Sequence, residues 1–173
     1  MMGVGKSTLG PAIAQRLGYR FLDTDTLIEQ VAAQPIPDIF QSAGEAEFRA
    51  IEHQVLEQLA PHTRLVISTG GGIVLSPENW GYLRQGVIVW IDVPLKELQR
   101  RLQTNQNRPL LQREDWPQHL AHLLESRRHL YAEADIQLTV AAGESTELIC
   151  DRLIHILEER ILPPPSNSIN SND

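Results

Sequence analysis

The chain predicts an α/β layer fold with a largely parallel sheet, and three observations carry that expectation. Helical and strand patterns alternate along most of its 173 residues, the arrangement that lays helices against the faces of a parallel sheet. The run Gly3-Val4-Gly5-Lys6-Ser7-Thr8 has the form of the helix side of a phosphate-binding loop, itself a strand-to-helix turn. With 42% hydrophobic and 21% charged residues, the chain can bury the core of one domain.

Ser7 to Leu17 places Leu9, Ile13 and Leu17 at helical spacing, and Gly18 closes that helix. A short strand follows at Tyr19 to Leu22, then a helix from Thr24 to Ala33 and a break at Pro35 and Pro37. Glu45 to Leu59 reads as a longer helix with Phe48, Ile51, Val55 and Leu59 on one face. Leu65 to Ser68 is a buried strand, and after Gly70-Gly71-Gly72 a polar helix runs from about Pro77 to Gln85. Val87 to Ile91 is the most strand-like run, and Pro94 suits the first turn of the helix carrying Leu98 and Leu102. Residues 104–117 are polar without a clear period, as expected of a lid or binding loop. A helix from Trp116 to Tyr131, a strand from Ile136 to Val140 and a helix from Glu144 to Ile161 complete one domain over residues 1–162. The Pro- and Ser/Asn-rich residues 163–173 read as a disordered tail.

The full loop pattern G-x-x-x-x-G-K-[ST] needs its first glycine one residue before Met1. A start codon placed too far downstream explains this most simply, and a strand of about ten residues ending in glycine is expected upstream. Such a strand is central in its fold, so the sheet is expected to show a gap or an unpaired edge in its middle.

A net charge of −7 argues against a nucleic-acid surface, so any anionic ligand must be held by local arginines. The one cysteine, Cys150, sits among Leu148, Ile149 and Leu153 as a buried apolar residue, which suits a reducing cytoplasm. No apolar run reaches membrane-spanning length. The six histidines show no metal-ligand spacing, and His119 and His122 read as surface helix positions.

Ligands of an open α/β sheet sit beyond the carboxyl ends of its strands. The phosphate loop, Asp23 with Asp25, and Gly70-Gly71-Gly72 all arrive there. Asp23 has two readings, as cap of the following helix or as a carboxylate ordering the water of a magnesium ion. The pair offers both metal support and a proton acceptor, and three glycines in a row exceed what a plain turn requires. Arg49 and Arg127 lie in helices, where an arginine taken alone is usually solvated or paired with a nearby glutamate.

Taken in order, these motifs with Phe48-Arg49 and Glu52, Arg108-Pro109-Leu110-Leu111, and Arg127 ahead of Leu130-Tyr131 and Ala134-Asp135 resemble those of the shikimate kinases. The resemblance runs from residue 3 to about residue 160. It implies a three-layer P-loop kinase fold, a mostly parallel sheet flanked by helices whose first central strand lies outside this sequence. It also implies ATP-dependent phosphorylation of the shikimate 3-hydroxyl, with Mg2+, in aromatic amino-acid biosynthesis. Gly3, Val4, Gly5, Lys6, Ser7 and Thr8 would then hold the ATP phosphates, with Lys6 on the β and γ oxygens. Ser7 would meet the metal directly and Asp23 through water. Asp25 would bind acceptor hydroxyls and take the proton. Arg49 and Arg127 would clamp the shikimate carboxylate, the Gly71 backbone a ring hydroxyl, and Arg108 on the lid the ATP phosphates during transfer. Phe48 has two compatible roles, in the core and beside the substrate. A cytoplasmic monomer acting on the small molecules shikimate and ATP is expected, with neither nucleic acid nor membrane as partner. Arg100, Arg101, Arg113 and Arg128 read as ordinary surface arginines. The alternatives are another small-molecule P-loop kinase, acting on gluconate or a nucleoside monophosphate, and a non-catalytic binding protein of the same fold.

Overall fold

The computed structural model describes residues 1–103 and 115–161. The disordered-tail expectation and most of the proposed lid, Arg108 included, lie outside the described residues. Helix α1 (Lys6–Leu17) ends on Gly18, whose φ of 66° is the left-handed conformation that a helix C-cap favours. Strand β1 (Arg20–Asp23) leads directly into α2 (Thr24–Ala32). The segment expected as a proline break is instead a helix, α3 (Ile36–Ser42). Pro35 caps it and Pro37 sits in its first turn, where a missing N–H costs nothing, so these prolines start an element rather than interrupt one.

The remaining elements are α4 (Gly44–Leu59), β2 (Leu65–Ser68), a short 3-10 turn (Ile73–Leu75), α5 (Pro77–Leu83), β3 (Val89–Asp92), α6 (Leu95–Gln103), α7 (Trp116–Tyr131), β4 (Ile136–Thr139) and α8 (Thr146–Ile161). Trp116 and Pro117, the end of the expected lid segment, begin α7. Boundaries elsewhere fall within a few residues of expectation.

Both strand pairings are parallel. Strand β1 runs beside β2 with Phe21 opposite Val66, and β3 beside β4 with Ile91 opposite Leu138. Among the described residues no ladder joins the two pairs, so the interrupted sheet expected from the sequence takes the form of two separate two-stranded sheets. Asp135, just before β4, accepts at 2.8 Å the N–H of Ile88, just before β3, and thus ties the two strands together where they begin.

Burial divides between two cores. The larger gathers side chains such as Leu98, Leu120, Ile136 and Leu138 between the strands and α1, α6, α7 and α8. Cys150 of α8 belongs to it and is 1% exposed, as expected of a buried apolar thiol. The smaller consists of Ile28, Ile39, Phe48 and Val55, one or two from each of α2, α3 and α4. Ile28 and Ile39 are fully buried, each worth about 1.5–3 kcal/mol relative to exposure. Helices α2, α3 and α4 are therefore joined by a core of their own, and the functional side chains they carry are fixed relative to one another.

Candidate active site

The phosphate loop begins with two glycines that the backbone requires: Gly3 has φ of 74° and Gly5 of 97°, where a β carbon would be strained. Gly5 caps α1 with no side-chain hydrogen bond, so no capping side chain covers the start of the helix, the end whose dipole favours an anion. Val4 is buried in the larger core, while Ser7 and Thr8 are exposed. Lys6 turns back and donates from Nζ to the Met1 carbonyl at 2.8 Å. The α-amine of Met1 is held down to about 4 by burial first, then by the charges of Lys6 and Arg127.

Asp23 is the N-cap of α2, its carboxylate accepting the Asp25 N–H at 2.9 Å. The capping role is thus realised, and no hydrogen bond joins Asp23 to Ser7 among the described residues. Thr24, fully buried, accepts the Gly70 N–H on Oγ1 at 3.3 Å and ties the start of α2 to the loop after β2.

That loop is the hub of the site. A β carbon on Gly70 would lie 3.0 Å from Asp25 Oδ1 and 3.2 Å from Glu52 Oε1. One on Gly71 would lie 2.9 Å from the Met1 nitrogen and 3.4 Å from the Tyr131 hydroxyl. One on Gly72 would lie 2.5 Å from Arg49 Nη2. Each glycine therefore admits a different functional group against bare backbone, and the run of three is explained by close approach rather than by turning. The Gly71 carbonyl accepts from Tyr131 at 2.7 Å and from Arg127 Nη1 at 3.4 Å.

Arg49 pairs with Glu52 at 2.7 Å and Glu45 at 3.2 Å, and its guanidinium lies 5.1 Å from the Phe48 ring centre. Phe48 is buried in the smaller core, the first of the two roles expected of it, and its ring meets the exposed Phe40 ring at 4.7 Å between centroids. Glu52 is 1% exposed, and its Oε1 has no hydrogen-bond partner among the described residues. Burial pushes this carboxyl above its usual range, with Arg49 opposing and Asp25 adding. Burial likewise pushes the Tyr131 hydroxyl up, with Arg127 opposing.

The structure therefore brings Asp25, Glu52, Arg49 and Arg127 to one glycine loop around Gly71, with Lys6 reaching it by way of Met1, a cluster of cations and carboxylates that can hold an anionic, hydroxylated ligand in a chain of net charge −7. It also shows features the sequence reading passed over. A cavity of about 180 Å³ opens beside the phosphate loop, lined by Val4, Thr8, Arg101, Val140, Glu144 and Ile149 among others. Arg101 is thus more than a surface arginine, although its pairing with Glu97 is the ordinary one for a helix. Arg128 conforms more nearly to expectation, lying half-exposed between Asp92 and the Trp90 ring.

The sequence model of the family described as "Shikimate kinase" matches residues 2–158. The chain belongs to the shikimate kinase family. Among shikimate kinase relatives, that of Synechococcus elongatus is 52% identical over 157 residues, 91% of this chain and 83% of the relative. The shikimate kinase of Acinetobacter baumannii, solved in complex with shikimate, superposes with a TM-score of 0.84 at 37% identity, covering 92% of this chain and 90% of that one. The shikimate kinase of Bacteroides thetaiotaomicron gives 0.85 at 34% identity, covering 91% and 94%. These likenesses place the chain in the α/β fold of that family despite its divided sheet.

Proposed function

We propose that this chain transfers the γ-phosphoryl group of ATP to the 3-hydroxyl of shikimate, giving shikimate 3-phosphate and ADP for chorismate and aromatic amino-acid biosynthesis. The observation that carries this reading is the glycine loop, with Asp25 against Gly70, Arg127 at Gly71 and Arg49 against Gly72. A carboxylated polyol needs planar cationic forks at one end and an acceptor for its hydroxyls at the other, and these side chains are of those types. As the shikimate oxygen bonds to the γ-phosphorus, the bond to the β,γ-bridging oxygen breaks and ADP leaves with the electron pair. The hydroxyl proton passes to the Asp25 carboxylate.

Lys6 and the first-turn N–H groups of α1 are assigned to the phosphates, and Arg108 by its place in the family motif alone. The cavity beside Val4 and Thr8 is assigned to the nucleotide base, since it adjoins the phosphate loop and mixes apolar walls with a guanidinium able to stack on a planar ring. Ser7 and Asp23 offer hard oxygen donors, and no group of three or more His, Cys, Asp or Glu among the described residues is placed to cage a metal alone. That donor set fits Mg2+, which keeps water and phosphate oxygens in its shell. Ser7 would hold it directly and Asp23 through water, and the bound ion supplies charge neutralisation at the phosphates.

A coupled ADP-release assay on the full chain, with shikimate, gluconate and nucleoside monophosphates as acceptors, tests the reading. Turnover with shikimate alone is expected. Preference for another acceptor would overturn the substrate, and ATP binding without transfer to any would overturn the activity.

A further inference from the structure

Helix α6 is seated on the phosphate loop by both of its faces. On its apolar side Leu98 is fully buried and Leu102 is 3% exposed, and Leu102 approaches to within 3.1 Å of where a β carbon on Gly3 would stand. On its polar side Glu97, 5% exposed, accepts three hydrogen bonds from its own helix: Arg100 Nε and Nη2 at 2.8 and 2.9 Å, and Arg101 Nε at 2.8 Å. The far end of the Arg101 guanidinium reaches the Val4 carbonyl at 3.4 Å and borders the cavity beside Gly5 and Thr8.

Ion pairs between residues three or four apart on a helix are common and usually weak, because both partners are solvated. Here the carboxylate is buried and the arginine is only 26% exposed at its side chain. Arg100, at 68%, stands in solvent, whereas Arg101, held by Glu97 at Nε, extends its Nη1 end toward the loop. An arginine held at Nε has lost most of its rotamer freedom before a ligand arrives, and the cost of ordering it falls on folding rather than on binding.

We propose that Glu97 is a positioning residue for the nucleotide side of the site, holding the Arg101 guanidinium across the wall of the cavity and against the phosphate loop. The inference rests on the assignment of that cavity to the nucleotide base. Glu97 itself touches no substrate; it acts through Arg101.

Calorimetric titration of the full chain with ADP, together with Michaelis constants for ATP and shikimate, tests it in Glu97→Gln, Arg101→Ala and the double variant. Loss of one charge-assisted hydrogen bond that orients the ring-facing group should weaken ADP about tenfold in Glu97→Gln, with the shikimate constant within about twofold of wild type. In the Arg101→Ala background the same change should add less than about twofold, since the two residues act as a unit. Wild-type ADP affinity in Arg101→Ala would overturn the base-cavity assignment. Weakened ADP in Arg101→Ala with none in Glu97→Gln, or a Glu97→Gln effect that persists in full without Arg101, would overturn the positioning role alone. Should Glu97→Gln fail to fold, Glu97→Asp keeps the charge and withdraws the carboxylate by one methylene, and wild-type ADP affinity there would overturn the proposal.

Discussion

The Tyr131 hydroxyl donates to the Gly71 carbonyl at 2.7 Å, from a ring that is 6% exposed and stacked on Trp90 with centroids 6.0 Å apart. One hydrogen bond thus ties α7 and β3 to the middle glycine of the loop to which the acceptor site is assigned. Tyr131→Phe keeps the stacking and leaves the carbonyl to the longer Arg127 contact. It should cost about 1 kcal/mol and lower Tm by about 2–4 °C, with a several-fold loss of kcat/KM for shikimate. Thermal unfolding and steady-state kinetics on the same preparation check both.

Gly72→Ala separates site geometry from stability. With φ of −92° and ψ of −8°, the backbone accepts alanine without strain, yet the new β carbon would stand 2.5 Å from Arg49 Nη2. The guanidinium has to move, and Tm should stay within a few degrees while the shikimate KM rises about tenfold, the equivalent of one displaced charge-assisted contact. An unchanged KM would remove Arg49 from the acceptor site.

Arg127→Ala should act on acceptor binding. Truncating one member of a desolvated charged pair costs about 2–5 kcal/mol, so the shikimate KM should rise about 30-fold or more with little change in the ATP constant. An equal rise for both substrates would contradict the assignment of Arg127 to the carboxylate.

Asp25→Asn should remove most turnover while leaving ATP binding nearly intact, because it abolishes a proton acceptor without adding bulk. A drop in kcat of about 10²–10⁴-fold is expected. Turnover within a few-fold of wild type would exclude Asp25 from that role.

Two carboxyls should tilt the pH dependence of stability in opposite senses. Arg100 and Arg101 hold Glu97 down to about 2 from an ordinary 4.5, so its contribution is present above about pH 4.5 and lost as pH falls toward 2. Burial raises Glu52, so its contribution is present below pH 4.5 and lost as pH rises through the raised value. Urea midpoints measured across this range should lose less on acidification in Glu97→Gln than in wild type, and less on raising the pH in Glu52→Gln.

Much of the candidate site was legible in the sequence because its motifs are local. Gly5-Lys6-Ser7, Asp23 with Asp25, and the glycine run each announce themselves within a few residues, and the alternation of patterns brings them to one end of the strands. What was not legible depends on partners distant in the chain. Tyr131 carries no role of its own in the sequence, and its hydroxyl is found on Gly71, sixty residues away. Glu97 and Arg101 have the spacing of a solvated helix pair, and only the seating of α6 shows that one is buried and the other faces a cavity. Helix α3 was hidden because two prolines so close together read as a break, although both sit where a helix start tolerates them.

The one cysteine of the chain, 1% exposed on α8, lies in the larger core rather than in the smaller one formed by α2, α3 and α4. A thiol reagent therefore meets the protein at a single place, and only when α8, or the Gln15 and Arg16 side chains that line the groove beside Cys150, has moved aside. The rate of covalent labelling becomes a clock for that opening, blind to fraying of α2 and α3. Compared with and without ADP, it would weigh whether nucleotide binding holds the α8 face shut.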